Sequence, residues 1–349
     1  MLLRVPRARL VSSACARKSY NRWDFLPRVE VAPLREARAP PPPLPSPQYL
    51  DIRGRCTIEY VDIPPLEEAL RGHEAPVTIL LVHGAPGSYN DFRHLIPVLE
   101  HQSHMRIIGI NLPGYAGSKV AKEHYLEGVS ALPTARLALE AVQTLCGGQE
   151  GSDNVFLVGH SFGAHTVINM AALQVTEVKS SGIKIRGMVL LAPAGCRPHK
   201  VLRPRESAMV VNALRSGNVV VSALTSLLVK AVYTRLLGFP NNAPPGHYIA
   251  GVVRAGTTDF GGIRQQVDML RGRQLPSLIA WSQNDEFMEK EIPVELASLC
   301  HPGPRLAFVG GGHNVQKTRA EQIAAAMSRW IEDVLAEKYQ EPQPTQSVP

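Results

Sequence analysis

The stretch Asn154-Val155-Phe156-Leu157-Val158-Gly159-His160-Ser161-Phe162-Gly163-Ala164 decides how the rest of the chain is read. Its apolar run predicts a buried strand, and the residues from Phe162 to Gln174 predict a helix. Between them lies Gly-x-Ser-x-Gly, so the order is strand, sharp turn, helix. A serine at such a turn takes a strained backbone conformation. Gly159 and Gly163, two positions to either side, let neighbouring chain approach without a Cβ clash. The Ser161 hydroxyl is then presented above the sheet. His160 and His165 read as packing or supporting groups.

Outward from this point the chain alternates between apolar runs and helical patterns. Thr57 to Ile63, Val77 to Val82 and Arg106 to Asn111 predict strands before it, with helices through Phe92 to Leu99 and Ala131 to Leu145. Gly187 to Ala192, Leu275 to Trp281 and Arg305 to Val309 predict strands after it. Ala320 to Tyr339 closes the chain as an amphipathic helix with Ile323, Met327, Trp330, Ile331 and Val334 on one face. This alternation predicts an α/β fold with a mostly parallel central sheet flanked by helices. Residues 197–273 break the pattern and read as a helical cap inserted into a core formed by 51–196 and 274–340. Residues 1–50 read as a targeting segment and proline-rich linker, since the run Ala39 to Pro47 lacks the amide donors a helix or ladder needs. Residues 341–349 read as a disordered tail.

With 349 residues, 44% of them hydrophobic, the chain is long enough to bury a large core. Its formal charge is +7, but no block of Lys and Arg interleaved with aromatics occurs, so nucleic acid is not an expected partner. Five widely spaced cysteines without a Cys-x-x-Cys pair argue against a metal knuckle or disulfide framework and suit a reducing compartment. The longest apolar stretch, Val219 to Phe239, is interrupted by Lys230 and Arg235, so a soluble or peripheral protein is expected. The first nineteen residues are basic, serine-containing and free of acids, the composition of a mitochondrial transit peptide. The other reading is a plain basic tail on a cytoplasmic protein.

A serine hydroxyl is a poor nucleophile at neutral pH; it needs a base within reach and a carboxylate to fix that base's tautomer. Asp285 follows a strand-like run, and His313 lies in Gly310-Gly311-Gly312-His313-Asn314 after the last strand. The chain order Ser161, Asp285, His313 resembles that of the α/β-hydrolase family, and the resemblance covers residues 54 to 338 or so. It implies the α/β-hydrolase fold and a nucleophile elbow at Ser161. His83-Gly84-Ala85-Pro86-Gly87-Ser88 sits where that family places its oxyanion loop. By that resemblance the backbone amides of Ala85 and Phe162 form the oxyanion hole; His83 reads as ordering its own loop, and Gly84 as a supporting residue. Asn111-Leu112-Pro113-Gly114-Tyr115-Ala116-Gly117-Ser118 resembles the family's Asp-x-Pro-Gly-x-Gly-x-Ser loop, from which Asn111 and Ala116 depart. Epoxide hydrolases and dehalogenases share the His-Gly-x-Pro loop but use an aspartate nucleophile, so Ser161 favours acyl chemistry.

Alternatives stay open at this level. Asp285 could cap the following helix, leaving Glu286 or Asp259 as the acid. The implied activity is a serine hydrolase acting on an ester, thioester or amide, without metal or organic cofactor. The same triad also serves carbon–carbon bond hydrolases and peptidases, and the same fold serves non-catalytic binding proteins. The cap's apolar residues, Val219 to Leu236, read either as its packed underside or as a lid over an acyl, lipid-like substrate. In the second reading Lys230 and Arg235 face water or anionic lipid, which makes peripheral membrane contact an expectation.

Overall fold

The computed structural model describes residues 40–65, 77–102, 105–147, 153–177, 182–239, 241, 243–338 and 345–348, all within one compact unit, Pro33–Pro349. The transit-peptide reading of the first nineteen residues lies outside the described residues. A ten-stranded sheet comprises β1 (Gln48–Ile52), β2 (Cys56–Ile63), β3 (Val77–Val82), β4 (Arg106–Ile110), β5 (Lys119–Val120), β6 (Asp153–His160), β7 (Ile183–Leu191), β8 (Ser277–Ser282), β9 (Arg305–Phe308) and β10 (Gln346–Val348). Its order is β1-β2-β4-β3-β6-β7-β8-β9-β10, with β5 on β2. Every pair from β4 to β10 is parallel; β1, β5 and β4 run antiparallel to β2.

The helices are α1 (Ile96–Gln102), α2 (Tyr125–Gly128), α3 (Ala131–Cys146), α4 (Phe162–Thr176), α5 (Pro204–Arg215), α6 (Val219–Ala231), α7 (Pro245–Gly256), α8 (Phe260–Gly272), α9 (Glu291–Leu299), α10 (Val315–Thr318) and α11 (Ala320–Leu335). Alternation along the central strands divides the core into two layers. Leu80 and Val82 of β3 and Val155 and Leu157 of β6 point into the layer with α3, α4 and α8. Ile79, Leu81, Phe156 and Val158 point into the layer with α1 and α11. There Trp330 meets Phe156 edge-on at 5.5 Å. Both faces are covered, which is why these strands are apolar throughout rather than alternating.

Two boundaries differ from the sequence reading. The first strand starts at Gln48, inside the segment read as linker, and Gln346–Val348 pair in parallel with β9 inside the segment read as a disordered tail. Both are edge strands; their order comes from pairing with a neighbour and leaves little local pattern. Helices α5 to α8 occupy Pro204–Gly272 between β7 and β8. The apolar stretch also reads differently once folded. Helix α6 continues through a π-helical turn, Val232–Leu236, into 18 helical residues of mean hydropathy 1.5, long and apolar enough to cross a membrane despite Lys230 and Arg235.

Candidate active site

The site forms at the carboxyl ends of β3, β6, β8 and β9. Ser161 joins β6 to α4 with φ 54° and ψ −123°, a conformation few non-glycine residues adopt. It is held by its amide donating to Leu191 O at 2.9 Å and its carbonyl accepting from Ala194 N at 3.1 Å. The turn is too tight for side chains beside it. A Cβ on Gly159 would lie 2.6 Å from the Gly163 carbonyl, and one on Gly163 would overlap Val82 O. A Cβ on Gly84 would lie 3.0 Å from that of Ser161, so the loop after β3 passes directly beside the serine.

His313 and Asp285 meet across two loops, with Nδ1 of the histidine donating to Oδ2 of the aspartate at 2.8 Å. The second carboxylate oxygen accepts from the amides of Phe287 and Met288 at 2.8 and 2.9 Å. Asp285 therefore both caps the following turn and orients the imidazole. Glu286 instead accepts the His313 backbone amide at 3.0 Å, and Asp259 caps α8. The Asp285 side chain is sealed at 2% exposure, whereas that of His313 keeps 11%. With Nδ1 donating to a carboxylate, the free lone pair sits on Nε2. No hydrogen bond joins Ser161 Oγ to His313 among the described residues. That third link of the chain is open.

The amides of Ala85 and Phe162 donate to no protein acceptor among the described residues. The first lies on the loop beside Ser161 and the second opens α4, where the helix dipole adds positive potential. His83 fixes that loop. Its Nε2 accepts from Leu112 N at 2.9 Å, so Nδ1 carries the proton and donates to Gly84 O at 2.6 Å. Burial pushes its pKa well below the ordinary imidazole range. His160 donates from Nε2 to the His313 carbonyl at 3.1 Å and, deeply buried, is lowered to about 3. His165 bonds Gly195 O at 2.8 Å and is lowered to about 4 by burial.

The Asn111 departure has a physical cause. Its side-chain amide donates to the buried Glu59 carboxylate, which also accepts Gly117 N at 2.8 Å, while its Oδ1 accepts Tyr89 N at 2.8 Å. An aspartate at 111 would set two carboxylates face to face. We expect Asn111→Asp to lower stability by about 1–3 kcal/mol in urea unfolding at neutral pH, with part of the loss recovered under mildly acidic conditions as one carboxylate takes a proton. An equal loss at both pH values would count against this reading. Ala116, the other departure, holds φ 48° where a glycine would be unstrained.

Three groups at the site had no legible signal in sequence. Glu59 is one. His199, which leads into the cap, lies 5.9 Å from the Phe162 ring with neither ring nitrogen partnered among the described residues, and burial lowers it to about 4. Arg254 of α7 is fully buried and donates to Phe162 O at 2.7 Å and to Thr166 Oγ1, tying the cap to the helix that starts at the serine. Phe162, Ala194, Ala255 and Met288, with Ala85 and Leu202 at their edge, form a small apolar cluster beside Ser161. No group of three His, Cys, Asp or Glu side chains among the described residues converges as metal ligands would.

The doubly covered parallel sheet, with a strained serine after its central strand, defines the α/β-hydrolase fold. A thermophilic esterase from Thermogutta terrifontis is similar, with a TM-score of 0.58 at 17% identity over 83% of this chain and 99% of that one. Haloalkane dehalogenase DbeA from Bradyrhizobium elkani USDA94 gives 0.58 at 17% over 84% and 99%. The chain belongs to the family described as alpha/beta hydrolase of unknown function (DUF1057), whose profile matches residues 60–303. Among curated relatives, "Epoxide hydrolase 1" of Oryctolagus cuniculus is 30% identical over 112 residues, 30% of this chain and 23% of that protein. "Uncharacterized protein F35H12.5" of Caenorhabditis elegans is 24% identical over 195 residues, 54% and 50%. The chain thus spans half or less of the length of these relatives.

Proposed function

We propose that this α/β hydrolase is a serine hydrolase that cleaves an ester, thioester or amide through an acyl-enzyme. The observation that carries the reading is the 2.8 Å bond from His313 Nδ1 to a sealed, doubly capped Asp285, beside a serine in strained conformation. Ser161 Oγ attacks the carbonyl carbon and its proton passes to His313 Nε2. The Ala85 and Phe162 amides receive the oxyanion, each such donor contributing roughly 2.7–4 kcal/mol to the barrier reduction. His313 returns the proton to the departing alcohol, thiol or amine as the acyl bond breaks. Water then attacks the acyl-serine, giving up one proton to His313, and release of the acid restores Ser161.

The open link between Ser161 and His313 favours a second reading, a binding protein that keeps the fold without turnover. Labelling the full chain with a fluorophosphonate separates the two. Strong labelling of the wild type, lost in Ser161→Ala and His313→Ala, is the expected result. A folded wild type that does not label would sink the hydrolase reading and leave the binder.

A further inference from the structure

Amphipathic surface helices turn their apolar stripe inward. The helix from Val219 to Leu236 does the reverse. Val219, Val220, Leu224, Leu227, Leu228 and Leu236 are 55% to 82% exposed. The positions 220, 224, 227 and 228 follow helical spacing, so they form one continuous outward stripe. The hydroxyls turn away from it into local bonds: Ser222 Oγ donates to Leu214 O at 3.3 Å and Ser226 Oγ to Ser222 O at 2.7 Å. Only 6% of this helix is buried, with Val229 its buried contact. A patch of this kind on a protein surface marks a binding face.

The charge around the stripe selects the partner. No acidic residue occurs from Ser207 to Thr258. Arg235 near the end of the stripe is exposed, as are Arg205 and Met209 on α5; Arg215 at the end of α5 is exposed too, with its Nη2 donating to Ser130 Oγ at 3.4 Å. The acid that precedes this span in sequence, Glu206, lies 3.7 Å from Arg203. An apolar stripe bordered by cations matches the interface of an anionic bilayer, where aliphatic side chains enter the acyl boundary and basic ones meet the headgroups. The helix is also held flat against the cap. The Tyr233 ring packs at a tilt against those of Phe239 and Tyr248, with centroids 5.6 and 5.4 Å apart, and Tyr248 belongs to α7. A helix tied to its own domain at Ser222, Val229 and Tyr233 lies on a membrane rather than across it.

We propose that the outward face of Val219–Leu236 docks the protein, monotopically, on a membrane surface rich in anionic lipid. The proposal does not depend on the catalytic reading. Its test is sedimentation of the full chain with vesicles of equimolar phosphatidylcholine and phosphatidylserine, against vesicles of phosphatidylcholine alone. Binding to the mixed vesicles, weakened by salt and reduced on the order of tenfold or more in the double variant Leu224→Gln and Leu228→Gln, is the expected result. Arg235→Glu should lower binding to the anionic vesicles alone. Binding that survives the leucine variant unchanged would place the lipid contact elsewhere and overturn the proposal, as would no binding at all. So would a lipid-free dimer that the leucine variant converts to monomer, since the face would then be covered by a second copy. All substituted side chains are exposed, so folding is expected to be unaffected.

Discussion

Asp285→Asn is expected to cut kcat on a p-nitrophenyl ester by about 10⁴-fold while leaving the protein folded. The asparagine carbonyl can still accept the amides of Phe287 and Met288, so the turn that Asp285 caps survives. The other half of the side chain changes from acceptor to donor and now faces His313 Nδ1, which the carboxylate engages at 2.8 Å. That forces the proton onto Nε2, where the lone pair must be free to take the Ser161 proton. A loss of this size with a near-constant melting temperature supports the role of Asp285 as orienter. Retained activity would mean that His313 is positioned by something else. A large loss of stability alongside activity would reduce Asp285 to its capping role.

Acid should destabilise the protein steeply, and well above the range where ordinary carboxylates titrate. His160, His165 and His199 are held neutral by burial, at about 3, about 4 and about 4, and His83 is depressed as well. In the unfolded chain all four titrate near 6.5. Between the unfolded and folded values the unfolded state binds more protons, so stability is fully present above about pH 6.5 and falls as the pH drops below it. Asp91 works the other way, because burial raises it to about 6 and the folded state takes its proton first. The balance is a net uptake of roughly three protons on unfolding, which removes several kcal/mol between about pH 7 and pH 5. Urea midpoints measured across that window test this. A flat profile would show that these histidines are already solvated or paired in the native state.

Some parts of the molecule could be read from residues alone because they depend on neighbours in the chain. The runs Val77 to Val82, Asn154 to Val158 and Leu278 to Trp281 are apolar because both faces of their strands are covered, and the glycines around Ser161 are required by a turn of five residues. Ser161, Asp285 and His313 follow strands, so a correct strand reading places each at the same end of the sheet. The edge strands β1, β5 and β10 left almost no trace, since pairing with a neighbour rather than local pattern orders them.

The chain by itself thus determined the order of the core elements and offered Ser161 and His313, with Asp285 one of three candidate acids, because hydrophobic period and turn chemistry are local. Only the tertiary structure decided that Asp285 and not Glu286 or Asp259 holds His313, a choice made by two loops distant in sequence. It alone set Asn111 against Glu59 and put Arg254 of the cap beneath the start of α4. It also turned the aliphatic stripe of Val219–Leu236 outward. Hydropathy states that such a helix is apolar; which way it faces is settled by what the rest of the cap packs against it.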